Sequence, residues 1–407
     1  MIDTTQRRAV FSTAAALFGF ILAASVGVLA DNTRAPLTKA SIAQQMQAGE
    51  AEANPLFQTQ AQRRIVFANT AYFAPVNTLE RSATPLILAD NLRDFSALTY
   101  TVEGERFAFT DFLASDSLMG LIAVRGQDIV VEHYAEDHGP ASPWISFSVT
   151  KSVSSMLIGA AIHEGYIRSR DDKVADYLPR LTGTAYGNAS IEDLLHMASG
   201  VAWNEDYEDP KSDVSIAGAL NGIALTNHLA TLPSLAESGE RFNYNTGEAN
   251  LIGEILRSAI GMNAAPYLAA KIWQPFGMEH DATWLLDVPN GRETGGCCIS
   301  ASVRDYARLG LFALRDGVLP DGTRVLPEGW MAASIIPFSD EPEYGYMWWL
   351  MGDGRFTASG IFGQKIFVNP DKQLVIAVHS NAVTAVDSEY AQHLEAVLEA
   401  IDTAIEP

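Results

Sequence analysis

The chain has 407 residues, is 48% hydrophobic and carries 27 Lys and Arg against 49 Asp and Glu, a net charge of −22. The length leaves room for two or three domain-sized units. The acidic balance argues against nucleic-acid binding, which needs a basic footprint, and gives no support for docking on anionic lipid; the acids are scattered and read as a solvated surface.

Arg7 and Arg8 precede an uncharged run, AVFSTAAALFGFILAASVGVLA, from residue 9 to residue 30. A basic start and an apolar core ending in Val28-Leu29-Ala30 fit a secretory signal over 1–30. Left uncut, the run is long enough to anchor the chain in a bilayer, and the arginines would hold its front end in the cytoplasm. Either way the remainder is expected to be exported, as a periplasmic or extracellular protein. Residues 31–85, rich in Ala, Gln, Asn and Thr with weak periodicity, read as a linker or wrapping arm.

Two β-rich runs around Arg125-Gly126-Gln127-Asp128 (118–137) predict a hairpin. WISFSVTKSVSSMLIGAAIHEG (144–165) predicts a helix with Ser146 as its N-cap and Gly165 as its stop. Short helical pieces fill 166–290, and SASVRDYARLGLFALRDG (300–317) predicts an amphipathic helix closed by Gly317. YGYMWWLM, GQKIFVNP and QLVIAVHSN read as strands, the last two joined by a turn at 369–372, and a helix closes the chain. Strands linked by tight turns imply an antiparallel sheet. The expected division is a sheet domain from 86–165 and 291–407, with a helical domain, 166–290, inserted in it.

Several chemistries lack their patterns. No G-x-S-x-G elbow, phosphate loop or dinucleotide fingerprint occurs, and His163-Glu164 does not continue into a zinc-binding pair. The two cysteines, Cys297 and Cys298, are adjacent, so a structural disulfide is not expected and no cysteine metal site is indicated. No cofactor or metal is expected.

Within the first helix, Ser148 and Lys151 stand three apart and share a face with Ser152 and Ser155, opposite an apolar stripe of Val149, Val153, Met156, Leu157 and Ala160. A serine hydroxyl needs a base, and a lysine serves when burial and positive field lower its pKa. Chance alone supplies about half a Ser-x-x-Lys match in a chain of this composition, so the pair needs support from elsewhere. FNYNTGEANLIGEIL places Tyr244 before a helix, where a neighbouring lysine would lower its pKa for proton relay, and adds the Thr246 hydroxyl. FTASGIFGQKIFVNP places Ser359 and Gly360 where a substrate can approach closely; the Ile361 amide would then pair with that of Ser148 as an oxyanion hole.

Ser148-Val-Thr-Lys151, Tyr244-Asn-Thr246 and Ala358-Ser359-Gly360 resemble, in this order, the motifs of the serine β-lactamase and penicillin-binding superfamily. The chain is most similar to its class C β-lactamase-like branch, of the 6-aminohexanoate-dimer hydrolase and esterase type, over roughly 115–385. The resemblance implies an α/β fold of the α+β type: an antiparallel sheet flanked by helices, with an inserted all-helical domain and the active site between. It implies Ser148 as nucleophile, Lys151 as base and Tyr244 as proton relay. It also implies Tyr207, in EDYED, on a substrate-covering loop. Two departures matter. Where β-lactamases of class C carry Tyr-x-Asn, this chain ends in Thr246; where they carry Lys-Thr-Gly, it has Ala358-Ser359-Gly360. The second removes a cation that would bind a carboxylate. The leading expectation is therefore an exported hydrolase of a small ester or amide. The rivals are a D,D-peptidase or β-lactamase, and a binding protein that kept the scaffold without the catalysis.

Overall fold

The computed structural model describes residues 37–49, 54–339 and 344–406. The apolar run 9–30 lies outside them. Among the described residues no helix is long and apolar enough to cross a membrane.

Seven strands form the main sheet: β1 (Ala89–Asp90), β2 (Leu118–Arg125), β3 (Asp128–Tyr134), β4 (Trp349–Leu350), β5 (Phe356–Ser359), β6 (Lys365–Asn369) and β7 (Leu374–Ser380). Their spatial order is β4-β5-β6-β7-β2-β3-β1, antiparallel throughout except for β1 on β3. The predicted hairpin is β2–β3, turning at Gly126 with φ 62°, a left-handed value that suits glycine.

Both faces of this sheet are covered, which explains why its central strands read as near-continuous apolar runs. Val375 and Ala377 of β7, with Ile122 and Val124 of β2, join the core under α3 (Val303–Leu314). Their neighbours Leu374, Ile376 and Val378, with Leu121 and Ala123, join a second core under α4 (Ser388–Ala404). The alternation is the two-residue period of a strand, used twice. At Gly310 of α3 a β-carbon would stand 2.5 Å from Val375 Cγ1, so only glycine lets the helix settle this close to the sheet.

Between β3 and β4 the chain builds α1 (Val149–His163), α2 (Thr246–Ile260) and several short helices. Residues 39–47, 60–67 and 70–73 are also helical, and Val76–Leu79 pairs with Ala282–Leu285 in a smaller four-stranded sheet that also includes Ile299–Ala301 and Trp144–Ile145. Phe67 and Arg63, in the stretch expected to wrap, are buried in the fold.

Helix α1 differs from its expectation at its start. It begins at Val149, with Ser148 itself as N-cap. Ser146 bonds elsewhere: its hydroxyl meets Thr150 Oγ1 at 2.6 Å and accepts from the Ile299 amide at 2.9 Å. The helix is buried from Val149 through Ala161, polar stripe included. Two of its serines survive burial by donating to carbonyls, Ser152 to Met347 at 2.6 Å and Ser154 to Gly295 at 2.7 Å. Gly165, at φ 78°, follows the last turn as expected. Cys297 and Cys298, for which a bond was not expected, are paired as a vicinal disulfide with a cis peptide between them.

Candidate active site

Ser148 is the N-cap of α1 but makes no capping bond with its side chain. The hydroxyl is therefore available, and Lys151 Nζ donates to it at 2.7 Å. Lys151 is 1% exposed. Its other polar contact is the Gly296 carbonyl at 3.4 Å. Burial lowers the Lys151 pKa to about 8, although the charge of Glu205 pulls the other way. An amine with that pKa is partly neutral near physiological pH and can accept a proton.

Tyr244 stands beside this pair, with Lys151 Nζ 5.2 Å from its ring centroid. The ring stacks on Trp349 at 5.4 Å and meets Tyr344 edge-on at 5.9 Å. The sequence argument expected lysine to lower the phenol's pKa. Burial raises it instead, the charge of Glu205 raises it further, and a hydrogen bond with Ser148 opposes both. A partly neutral lysine cannot offset the desolvation of a phenolate. Tyr244 is thus a neutral phenol, suited to donating a proton.

The third element is the turn after β5. A β-carbon on Gly360 would lie 2.4 Å from the Ser146 carbonyl, so glycine allows this turn to abut the segment that delivers Ser148. Ile361 starts the turn (Ile361–Gly363), and with Ser148 it lines one cleft of about 820 Å³. Ser359, Gly360, Tyr207 and Tyr244 line the same cleft. Thr246 opens α2 beneath it, but its hydroxyl is committed to Glu205.

Two features were not read from the sequence. The first is Glu205, within the EDYED stretch that drew attention only to its tyrosine. Its carboxylate accepts from Trp203 Nε1, from Tyr207 OH at 2.6 Å, from the Thr246 amide at 3.0 Å and from the Thr246 hydroxyl. It thereby ties the 203–207 loop to the start of α2. Replacing Glu205 by glutamine removes a negative charge near Lys151 and leaves two donors without their acceptor, since each carboxylate oxygen accepts from two. The alkaline-going limb of kcat/KM is expected to move about 1 pH unit lower, and urea unfolding to show a loss of about 1–3 kcal/mol.

The second is a pair of phenylalanines in left-handed backbone conformations, Phe147 (φ 45°) before Ser148 and Phe362 (φ 66°) after Ile361. Such backbones persist only where packing over-determines them. The two rings lie 5.3 Å apart and both pack on Phe67, while the Arg63 guanidinium sits 4.3 Å over Phe362. Strain at a bulky residue has no sequence signature.

Among the described residues no cluster of three or more His, Cys, Asp and Glu is placed to hold a metal ion.

A buried lysine hydrogen-bonded to a helix-leading serine, beside a cleft edged by the end of β5, defines a class. The chain belongs to the beta-lactamase family of serine hydrolases, whose model matches residues 115–400. Over 280 residues it is 30% identical to the 6-aminohexanoate-dimer hydrolase of Paenarthrobacter ureafaciens, covering 63% of this chain and 70% of that protein. In fold it is similar to a candidate 6-aminohexanoate-dimer hydrolase from Bacillus anthracis, with TM-score 0.75 at 19% identity over 85% of this chain and 95% of that one. A family VIII carboxylesterase aligns with TM-score 0.56 at 18% identity, over 72% and 95%.

Proposed function

We propose that the chain hydrolyses a small ester or amide through an acyl-enzyme on Ser148. The observation that carries this reading is the 2.7 Å bond between a buried Lys151 amine and the Ser148 hydroxyl, in an amine whose pKa has fallen to about 8. Neutral Lys151 takes the hydroxyl proton as Ser148 Oγ attacks the acyl carbon. The amides of Ser148 and Ile361 stabilise the oxyanion of the tetrahedral intermediate. The leaving group departs with a proton from Tyr244, which recovers it from the Lys151 ammonium. Water then attacks the acyl-enzyme by the reverse route, releasing the acid and restoring Ser148. Tyr207, bonded to Glu205 over the cleft, covers the bound substrate.

The named activity of the 30%-identical relative supports an amide as the bond cut, and the carboxylesterase likeness in fold is compatible with an ester. Export is part of the same proposal and rests on residues 7–30 of the sequence alone.

The test is covalent labelling by a fluorophosphonate, read by intact mass. Wild-type protein is expected to gain one adduct and Ser148→Ala none. Labelling that persists in Ser148→Ala would sink the assignment.

A further inference from the structure

Arg63 lies outside residues 115–400, which the family model matches, yet it reaches the turn that carries Ile361. It belongs to the helix Gln60–Phe67 and is 3% exposed. A buried guanidinium keeps its charge and needs partners for its five donors. Among the described residues its acceptors are all neutral: Asn381 Oδ1 at 3.2 Å, and the carbonyls of Gln58 at 2.6 Å, Ala382 at 2.8 Å and Val383 at 2.7 Å.

Docking this helix does not by itself call for a buried charge. Gln60 already docks it: its amide nitrogen donates to the Asn381 carbonyl at 2.7 Å and to Ser117 Oγ at 3.1 Å, and Asn381 Nδ2 donates back to the Gln60 carbonyl at 2.9 Å. Arg63 adds something different. The two carbonyls that accept from its Nη2 belong to a segment bonded to Phe362 on both sides. The Ala382 amide donates to the Phe362 carbonyl at 3.1 Å, and the Phe362 amide donates to the Ala385 carbonyl at 3.1 Å. The guanidinium also covers the Phe362 ring, 4.3 Å from its centroid. One side chain thus grips Phe362 by its ring and by the segment that holds its backbone.

The grip matters because of the residue before it. Phe362 has φ 66°, a left-handed value that a bulky residue keeps only where its surroundings impose it. Released, Phe362 would return to negative φ, and the turn Ile361–Gly363 would re-aim the Ile361 amide. An oxyanion donor acts by being fixed before the charge develops.

We propose that Arg63 is a positioning residue for acyl transfer: it holds Phe362 in its left-handed conformation and so fixes the Ile361 amide for the oxyanion. The proposal rests on Ser148 as the acylation site with Ile361 in its oxyanion hole, and it adds a residue from the stretch that precedes the matched segment.

The test compares Arg63→Ala with Gln60→Ala in hydrolysis of p-nitrophenyl acetate, with rates expressed per site titrated by a fluorophosphonate. Unfolded molecules then do not count. Arg63→Ala is expected to lower kcat per site about 10²-fold while KM stays within about 3-fold. Phenylboronic acid, which forms a tetrahedral adduct on the serine, should bind more weakly by a similar factor. Gln60→Ala loosens the same helix and should hold kcat per site within about 3-fold of wild type. A merely structural role would lower stability and the number of titrated sites in both variants, not the rate per site. Unchanged kcat per site in Arg63→Ala, a loss carried by KM, or an equal loss in Gln60→Ala would overturn the proposal. If Arg63→Ala gives no folded protein, Arg63→Lys decides. Lysine keeps the charge but cannot fork to two carbonyls or lie flat on the ring, so kcat per site should fall about 10-fold; a wild-type value would overturn the proposal. Failure of the acylation reading is seen separately, as neutral-ester turnover that survives Ser148→Ala.

Discussion

Replacing Lys151 by methionine is expected to lower kcat/KM by about 10³–10⁴-fold with the fold intact. Methionine fills similar space without a buried amine, and Lys151 is 1% exposed, so the loss should fall on rate rather than stability. The pH profile supplies the more specific check. The base must be neutral, and burial brings the amine's pKa to about 8. Wild-type kcat/KM should therefore rise with pH through about 8, because deprotonation creates the active form. At pH 7 only about one enzyme in ten holds the neutral amine. In Lys151→Met that limb should vanish and leave a flat residual rate. A variant that kept the limb would assign the titration to another group and remove Lys151 as the base.

Tyr244→Phe is expected to separate two kinds of substrate. Burial keeps the phenol protonated, so in the proposed mechanism its contribution is a proton delivered to the leaving group. An amine leaving group needs that proton and a nitrophenolate does not. Amide or anilide hydrolysis should fall about 10²–10³-fold, while p-nitrophenyl ester hydrolysis should fall far less. The ring's stacking on Trp349 and its contact with Tyr344 are retained in phenylalanine, so a packing effect would lower both substrates alike. Equal losses would therefore refute the proton-donor role.

Two lysines near the site owe their places to different levels of structure. In the proposed mechanism Lys151 acts on the serine, and its loss should lower kcat for every substrate. Lys365 donates to Ser359 at the end of β5. The first follows from a spacing within one helix; the second depends on a strand register.

That difference describes how legible the molecule was. Ser148 and Lys151 are three residues apart at the start of one helix, so their 2.7 Å contact follows from local geometry. The β2–β3 hairpin was announced by its Gly126 turn, and the β6–β7 hairpin by the turn at 369–372. Helix α3 and its stop at Gly317 were equally readable. The capping of α1 was not: Ser146 was expected there, and Ser148 holds the position. The choice of Ser148 came from Ser146 being drawn to Thr150 and the Ile299 amide, 153 residues away.

The sequence by itself determined the elements and the chemistry they could carry: an acidic, largely apolar chain, a Ser-x-x-Lys helix, a tyrosine before a second helix and a strand ending in Ser-Gly. These depend on interactions between near neighbours, whose geometry the backbone period sets. Only the tertiary structure decided the protonation of Lys151 and Tyr244, because desolvation comes from everything packed around a group. It alone also decided that Glu205 binds the start of α2, that Phe147 and Phe362 hold left-handed backbones against Phe67, and that Lys365 reaches Ser359. Each of those joins residues brought together by folding and carries an energy that no local pattern records.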